Sequence, residues 1–302
     1  MLRNFYFVTL TYCGVMSGAL RAFRDYLSFL GRSESTIRRY MYVVRDFVEF
    51  CGGSPRFTRE AVIGYISGLR ERGFSGTYQK FAYAVLSRFF RALSVPWPFE
   101  KGESPKASEP NRPYFTLEEI RAILDYVDTH ANPRDRALIR VAATVGCRRM
   151  ELQRMNREDF DQENCRIYIR TGKRGKPRWR RLDPETCNAL KRYLASRDDD
   201  EPALFRSRRG GRISLVELSR ILRKYLVGAG IRKPGAGYHS FRRGLVTILH
   251  SRGISERELQ EWMGWQTPFM PHQYIQLMPT KVEEKVTKVH PLFHGREGAE
   301  KR

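Results

Sequence analysis

The first hundred residues carry apolar side chains at the spacing of amphipathic helices. The clearest repeat, with steps of three and four residues, consists of Leu20, Phe23, Leu27 and Leu30. This period is typical of a helix with one buried face. Three more helices are predicted to begin at residues that cap helix N-termini, namely Ser35, Thr58 and Ser75. Residues 16–95 are therefore predicted to form a helical domain.

A proline-rich stretch interrupts this pattern over residues 96–113. It contains five prolines together with Gly, Ser and charged residues, so it favours neither a helix nor a central strand. We predict an extended linker there, followed by a second domain over 114–302. The apolar residues 1–15 are poorly patterned and are predicted to be an N-terminal extension, with Met16 as an alternative start.

The second domain is predicted to be mostly helical, with one small sheet. Thr116 and Glu119 have the spacing of a capping box, and Pro133 is suited to the first turn of another helix. Residues 166–171 alternate between polar and apolar, which indicates a half-buried strand, and residues 177–182 return after a basic turn. The fold class is therefore mainly α with a small antiparallel β-hairpin.

Charge narrows the class of partner. The chain has 55 Lys and Arg against 33 Asp and Glu, a formal net charge of +22. Residues 1–105 hold 15 basic and 8 acidic side chains, so both halves are basic. A protein with this distribution attracts polyanions, and nucleic acid is the expected partner.

The basic residues predicted to contact DNA lie between the apolar positions of two N-terminal helices and along the hairpin. They are Arg38, Arg39, Arg45, Lys80, Arg88, Arg174, Lys176, Arg178 and Arg180. The alternative is an ordinary solvated helix face, although such faces usually mix both signs of charge.

Cysteine usage and hydropathy exclude other classes. The five cysteines are scattered and form no Cys-x-x-Cys pair, which argues against a disulfide framework and a thiolate zinc site. No acidic cluster of the kind that holds magnesium is visible, so no metal and no cofactor is expected. No run of about 18 apolar residues predicts a membrane span. A reducing, cytoplasmic location beside the nucleoid is the simplest interpretation.

Three groups of residues carry potential chemistry. The first is Gly146-Cys-Arg-Arg-Met-Glu-Leu152, the second is Lys173 in the hairpin, and the third contains His239, Arg242, Met263-Gly-Trp265 and Tyr274. Two guanidinium groups, from Arg148 and Arg242, have the geometry to hold a phosphodiester and neutralise charge in its transition state.

The remaining groups fit the same reaction. The Tyr274 hydroxyl needs a base to become a nucleophile, and His239 is the candidate. Lys173 is the candidate proton donor to the leaving oxygen, and the Trp265 N–H can donate to the phosphate. Taken singly, each residue has an ordinary alternative, such as a surface ion pair between Arg148 and Glu151 or a core aromatic at Trp265.

Taken in order, these residues resemble the tyrosine recombinase (phage integrase) family over nearly the whole chain. The G-x-R-x-x-E-L box of the family is matched at Gly146, Arg148, Glu151 and Leu152, and its hairpin lysine at Lys173. The H-x-x-R box is matched at His239 and Arg242. The L-G-H/W box is matched at Met263, Gly264 and Trp265, and the nucleophile at Tyr274. The chain departs from the commoner pattern with Trp265 in place of histidine. Lys176 stays an alternative to Lys173. The length resembles the compact Xer-like and archaeal-type integrases.

The resemblance implies a mechanism and an assembly. Tyr274 is expected to attack DNA and form a 3′-phosphotyrosyl link, with Glu151 in a supporting role and without a metal. Four protomers are expected to act on two duplex DNA sites, integrating and excising a mobile element or resolving replicon dimers. The C-terminal tail is expected to dock on a neighbouring protomer through Val289, Leu292 and Phe293. The alternatives are a type IB topoisomerase-like enzyme and a catalytically silent DNA-binding homologue.

Overall fold

A computed structural model describes residues 18–52, 57–107, 112–170 and 177–265. The chain divides into two compact units, residues 1–110 and residues 111–302. Each unit has its own hydrophobic core. The prediction of a mainly α fold with a small antiparallel sheet is confirmed.

The first unit is built from helices, two of which are capped by side chains as the sequence predicts. Its described helices are α1 over 18–29, α2 (Glu34–Phe50), α3 (Arg59–Glu71) and α4 (Gly76–Ala92). The Thr58 and Ser75 side chains accept from the third backbone N–H beyond them. The prediction of Ser35 as a cap is wrong, because α2 already begins at Glu34, directly after Ser33.

Aromatic rings fill the centre of the first unit. Phe23 and Phe89 meet edge to face with ring centroids 5.2 Å apart, and Phe47 meets Tyr65 in the same way at 5.3 Å. All four are fully buried. The first contact joins α1 to α4, and the second joins α2 to α3.

The first part of the predicted linker is packed rather than free. Trp97 and Phe99 lie against the core of the first unit, and both rings contact Tyr83 on α4. Arg59 donates to the carbonyl oxygen of Pro98 at 2.8 Å and pairs with Glu103 at 2.6 Å. Residues 96–107 contain no helix or strand, and apolar side chains between the prolines bind this part of the predicted linker to the helices of the first unit.

The second unit contains most of the helices. They are α5 (Leu117–His130), α6 (Pro133–Val145), α7 (Arg149–Arg154), α8 (Pro184–Ala195), α9 (Leu215–Gly228), α10 (Tyr238–Ser251) and α11 (Glu256–Met263). The predicted capping box of Thr116 and Glu119 is confirmed at the start of α5. Helix α6 lies at the centre of this unit and packs against α5, α8 and α10.

The sheet has three short antiparallel strands in the order β1 (Phe160–Asp161), β2 (Arg166–Ile169) and β3 (Arg178–Arg181). The predicted hairpin is confirmed by the pairing of β2 with β3. Strand β1 is not evident from the sequence, because two residues are too few to show an alternating pattern. In the register, Ile169 lies opposite Arg178 and Ile167 lies opposite Arg180. Directly opposite residues share one side of a sheet, so Arg178 and Arg180 lie on the side of the two buried isoleucines.

A disulfide joins Cys165, in the turn between β1 and β2, to Cys187 on α8. The expectation of no disulfide is therefore wrong for this pair. The two cysteines are 22 residues apart and become neighbours only when the sheet packs on α8. Among the described residues, no helix combines the length and the apolar character needed to cross a membrane.

Candidate active site

The first sequence box forms a sharp turn between two helices. Gly146 ends α6 in the left-handed conformation, with φ of 61°. A side chain there would be strained, and its Cβ would come within 3.1 Å of Leu245 and 3.4 Å of the Arg242 backbone. Glycine therefore lets α6 approach α10 closely and places Arg148 at the start of α7.

Glu151 holds Arg148 in place. One carboxylate oxygen of Glu151 accepts from the Arg148 side chain at 2.8 Å, and the other accepts from the Arg148 backbone N–H at 2.8 Å. The Glu151 side chain is 1 % exposed and that of Arg148 is 24 % exposed. The pair is therefore not the ordinary surface ion pair of the alternative interpretation.

Glu151 stays charged although it is buried. Burial acts to raise its pKa, but the positive charge of Arg178 and the backbone N–H of Arg148 oppose this effect. The net result is a pKa below the ordinary value of a glutamate, with Arg242 and Arg148 contributing further. Three guanidinium groups thus surround one buried carboxylate.

Arg242 joins the first box to the last. Its Nη1 donates to the carbonyl oxygen of Gly146 at 2.9 Å, and its Nη2 donates to the carbonyl oxygen of Met263 at 2.8 Å. The residue is 1 % exposed, and its guanidinium carbon lies 5.2 Å from the centre of the Trp265 ring. Two boxes that lie far apart in the sequence meet at this one side chain.

Trp265 follows directly after a second left-handed glycine. Gly264 ends α11 with φ of 63°, and the Trp265 backbone N–H donates to Gln260 at 3.0 Å. The Trp265 ring is buried with Val246, Leu259 and Met263. The ring is therefore a buried core aromatic, and the Arg242 guanidinium lies over it.

His239 lies in the first turn of α10, a helix that packs closely on the segment around Phe115. A Cβ at Gly244 would come within 2.1 Å of the Phe115 carbonyl oxygen, so only glycine lets α10 pack on this segment. Loss of water around the ring lowers the pKa of His239 below its ordinary value, and the charges of Arg242 and Arg243 add to the shift. The neutral form, which can accept a proton, is therefore favoured at pH 7.

Two arginines predicted to bind DNA have other partners. Arg178 is 8 % exposed, and its Nη2 lies 3.4 Å from a carboxylate oxygen of Glu151. Arg180 stacks on Trp262 at 4.6 Å and donates to the carbonyl oxygens of Glu261 and Trp262 at the end of α11. The Arg178 guanidinium is thus buried beside Glu151 and not exposed at a DNA-facing surface, whereas Arg180 is half-buried and its contact with DNA stays a prediction.

A group of exposed basic residues on the first unit agrees better with DNA binding than the buried Arg178 does. Arg38, Arg39 and Arg45 on α2 and Lys80 on α4 are exposed, and Arg88 is half-buried over the ring of Tyr40. These three arginines of α2 make no ion pair with a carboxylate in the described part of the chain.

The nearest acidic candidate on α2 does not neutralise this face. Asp46 accepts from Arg72 at 2.7 Å and from the Tyr65 hydroxyl at 2.8 Å. The hydrogen bond from Arg72 is the main cause of a pKa below the ordinary value of an aspartate. Asp46 is therefore paired with α3 and its C-cap, and the charge on the exposed arginines remains uncompensated by it.

Several predicted site residues lie outside the described residues. They are Lys173, Arg174, Lys176, Tyr274, Val289, Leu292 and Phe293. The residues that the structure brings together are Arg148, Glu151, His239, Arg242 and Trp265. Within the described ranges, no group of three or more His, Cys, Asp or Glu side chains has the arrangement of a metal site.

Residues 113–281 match the Phage integrase family, and residues 20–97 match the phage integrase N-terminal SAM-like domain. The chain belongs to the phage integrase family. It is 30 % identical to the tyrosine recombinase XerA of Thermococcus onnurineus over 274 residues, which cover 90 % of this chain and 92 % of that protein. This similarity identifies a Xer-like tyrosine recombinase of the archaeal type, an enzyme of site-specific DNA recombination that cleaves and rejoins DNA.

Solved structures agree at the level of the fold. A crystal structure of XerA recombinase is 26 % identical, covers 91 % of this recombinase and 99 % of that chain, and has a TM-score of 0.54. A lambda integrase tetramer bound to a Holliday junction is 18 % identical, covers 86 % and 76 % of the two chains, and has a TM-score of 0.69. At that identity the second likeness shows the fold alone.

Sequence reasoning misses the place of Arg178 in this site. The basic run from Lys173 to Arg180 predicts a single DNA-binding surface. The alternation of Ile167 and Ile169 in β2 contains the signal for a different placement, because a hairpin register puts every second residue of β3 on the same side.

Proposed function

We propose that this recombinase cuts one strand of duplex DNA by attack of Tyr274 on the scissile phosphate. A bond forms between the tyrosine oxygen and phosphorus, and the bond from phosphorus to the 5′-oxygen breaks. The tyrosine proton passes to His239, and Lys173, or alternatively Lys176, protonates the leaving oxygen. The 3′-phosphotyrosyl link keeps the phosphoester bond energy, so religation to a 5′-hydroxyl requires no ATP.

The observation that supports this proposal most is the position of Arg242. Its two hydrogen bonds, to Gly146 and Met263, bring the first and last boxes to one point, with Arg148 beside them. Two guanidinium groups at fixed positions are suited to the charge that develops on a phosphoryl group. Arg148 is the more accessible of the two. The Arg148 side chain is 24 % exposed, and Arg242 is 1 % exposed.

The neutral state of His239 supports the direction of proton transfer. A base must be unprotonated before the attack, and burial of the ring together with the charges of the surrounding arginines lowers the pKa of His239 and so disfavours the protonated ring. The same arginines compensate the negative charge of a phosphate once DNA is bound.

The proposed assembly is a tetramer of identical protomers on two DNA sites, with strands exchanged through a Holliday junction. The fold shared with the lambda integrase tetramer supports this arrangement. Integration or excision of a mobile element and resolution of replicon dimers use the same cleavage and exchange, so either role is compatible with the proposal. Contact between protomers through Val289, Leu292 and Phe293 stays part of the proposal.

The test uses a suicide DNA substrate with a nick near the scissile phosphate, taken from DNA flanking the gene. Wild type is expected to give a covalent protein–DNA band on a denaturing gel, and Tyr274→Phe is expected to give none. Tyr126→Phe is the matched control, because it also removes only a tyrosine hydroxyl and keeps the ring. The Tyr126 ring stacks on His130 and not on a residue of the candidate site.

Three outcomes separate the candidates. A band that persists in Tyr274→Phe assigns the nucleophile to another residue. Specific binding without any band supports a silent DNA-binding protein. Relaxation of supercoiled DNA by a monomer without exchange between two sites supports the topoisomerase-like alternative.

A further inference from the structure

We propose that Arg178 is a positioning residue of the cleavage site, acting through Glu151 and through the Gly264–Trp265 turn. This inference rests on the proposed function, because it assigns a role in the same cleavage step. It replaces the DNA-binding role that the sequence predicts for Arg178.

Arg178 comes from a different element than the residues it holds. It is the first residue of β3, whereas Glu151 lies on α7 and Gly264 follows α11. Its Nη2 lies 3.4 Å from Oε2 of Glu151, the oxygen that also accepts from the Arg148 backbone at 2.8 Å. One buried carboxylate oxygen is therefore shared by Arg178 and the backbone of a proposed catalytic arginine.

The second contact is with the turn that carries Trp265. A Cβ at Gly264 would lie 2.9 Å from Nη1 of Arg178 and 3.1 Å from its Cδ. The Arg178 guanidinium therefore lies close beside Gly264, and a side chain at Gly264 would have to displace it as well as adopt a strained left-handed φ.

Charge explains why an arginine is needed at this place. Glu151 is buried, and a buried carboxylate with a single partner tends to gain a proton. The positive charge of Arg178 keeps it ionised, so that it continues to orient Arg148. A lysine supplies the charge, but it cannot both reach Glu151 and cover Gly264 with a planar group.

The experiment compares single-turnover cleavage of the suicide substrate with DNA affinity. Arg178→Met is expected to slow cleavage by about 10- to 100-fold, the usual range for a residue that orients a reacting group, while the Kd for DNA changes little. Arg178→Lys is expected to restore part of the rate. Arg181→Met is the matched control, because Arg181 is an exposed arginine on the same strand. The Arg181→Met variant is expected to cleave DNA at the rate of wild type.

A double-mutant cycle separates positioning from a general loss of stability. If Arg178 acts in part through Glu151, then the rate loss of Arg178→Met combined with Glu151→Gln is smaller than the product of the two single losses. Rate losses that multiply would overturn the proposal, and so would an unchanged rate in Arg178→Lys.

Two further outcomes have a definite meaning. If Arg178→Met does not fold, Arg178→Lys is measured instead. Slower cleavage by Arg178→Lys with unchanged affinity for DNA then supports the proposal. If wild type itself forms no covalent complex, the proposed function fails and the inference fails with it. Failure of the inference alone is recognised by normal cleavage in both wild type and Arg178→Lys.

Discussion

The two units of this recombinase use arginine in opposite ways. On α2 of the first unit, Arg38, Arg39 and Arg45 are exposed, and the nearby Asp46 is paired with Arg72 instead. In the second unit, Arg178 and Arg242 are buried against a carboxylate and against carbonyl oxygens. The first arrangement leaves charge available to a flexible, solvated interaction, and the second fixes each guanidinium before any ligand arrives.

Burial separates binding from chemistry in this protein. An exposed arginine gains attraction to phosphate over a Debye length but keeps its freedom to move. A buried arginine with fixed partners loses little entropy when the reaction occurs, and its charge acts in a medium of low dielectric. We therefore expect the exposed arginines to act in DNA binding and the buried arginines to act in strand cleavage.

The largest effect is expected from breaking the fixed arrangement at Arg242. Arg242→Lys keeps the charge but cannot donate to Gly146 and Met263 while it also faces a phosphate. Cleavage is expected to fall by about 10²–10³-fold, the usual loss of one preorganised donor, and DNA affinity is expected to stay within a few-fold. Single-turnover cleavage and a binding titration measure both, with Arg252→Lys at the exposed end of α10 as the control. Equal losses in rate and in affinity would contradict the division of roles.

A smaller effect is expected on the stability of the second unit. The disulfide between Cys165 and Cys187 closes a loop of about 22 residues, which corresponds to about 3 kcal/mol in the chain-entropy description. Cys165→Ser is expected to lower the melting temperature of the unit that contains the catalytic cluster. The matched control is Cys51→Ser, since Cys51 is a free cysteine of the first unit. Equal melting of Cys165→Ser and wild type, each measured without reductant, would contradict this expectation.

The smallest effect is expected from the exposed face. Alanine at Arg38, Arg39 and Arg45 together should reduce the slope of log K against log salt by about 0.9 for each phosphate that the variant no longer neutralises. Cleavage at saturating DNA is expected to stay unchanged, because the proposal gives these side chains a role in binding DNA and none in the chemical step. Arg70→Ala on α3 is the control for removal of an exposed charge elsewhere in the same unit. An unchanged slope would remove this face from the DNA interface.

Local signals in the sequence predict most elements correctly. Side-chain caps at Thr58, Ser75 and Thr116 depend only on the next three residues, so the sequence contains them completely. Helix α2 begins at Glu34, before the predicted cap Ser35, and the Ser33 hydroxyl lies within hydrogen-bond distance of the Ser35 and Thr36 hydroxyls instead of capping the helix. The packing of Trp97 and Phe99 escapes prediction, because prolines indicate the absence of a helix but not the docking of aromatic rings between them.

The sequence alone determined the class of protein and the identity of the candidate groups. The order of the boxes, the basic charge and the helical period are properties of the chain itself. Only the tertiary structure decided which arginines are buried, which cysteines are joined and that Arg178 is the second arginine to contact Glu151. The reason is distance along the chain: Arg178 and Glu151 are 27 residues apart, and Arg242 and Gly146 are 96 apart. Contacts over such separations depend on how the strands and helices pack, and the local alternation in β2 indicates only on which side of the sheet Arg178 lies.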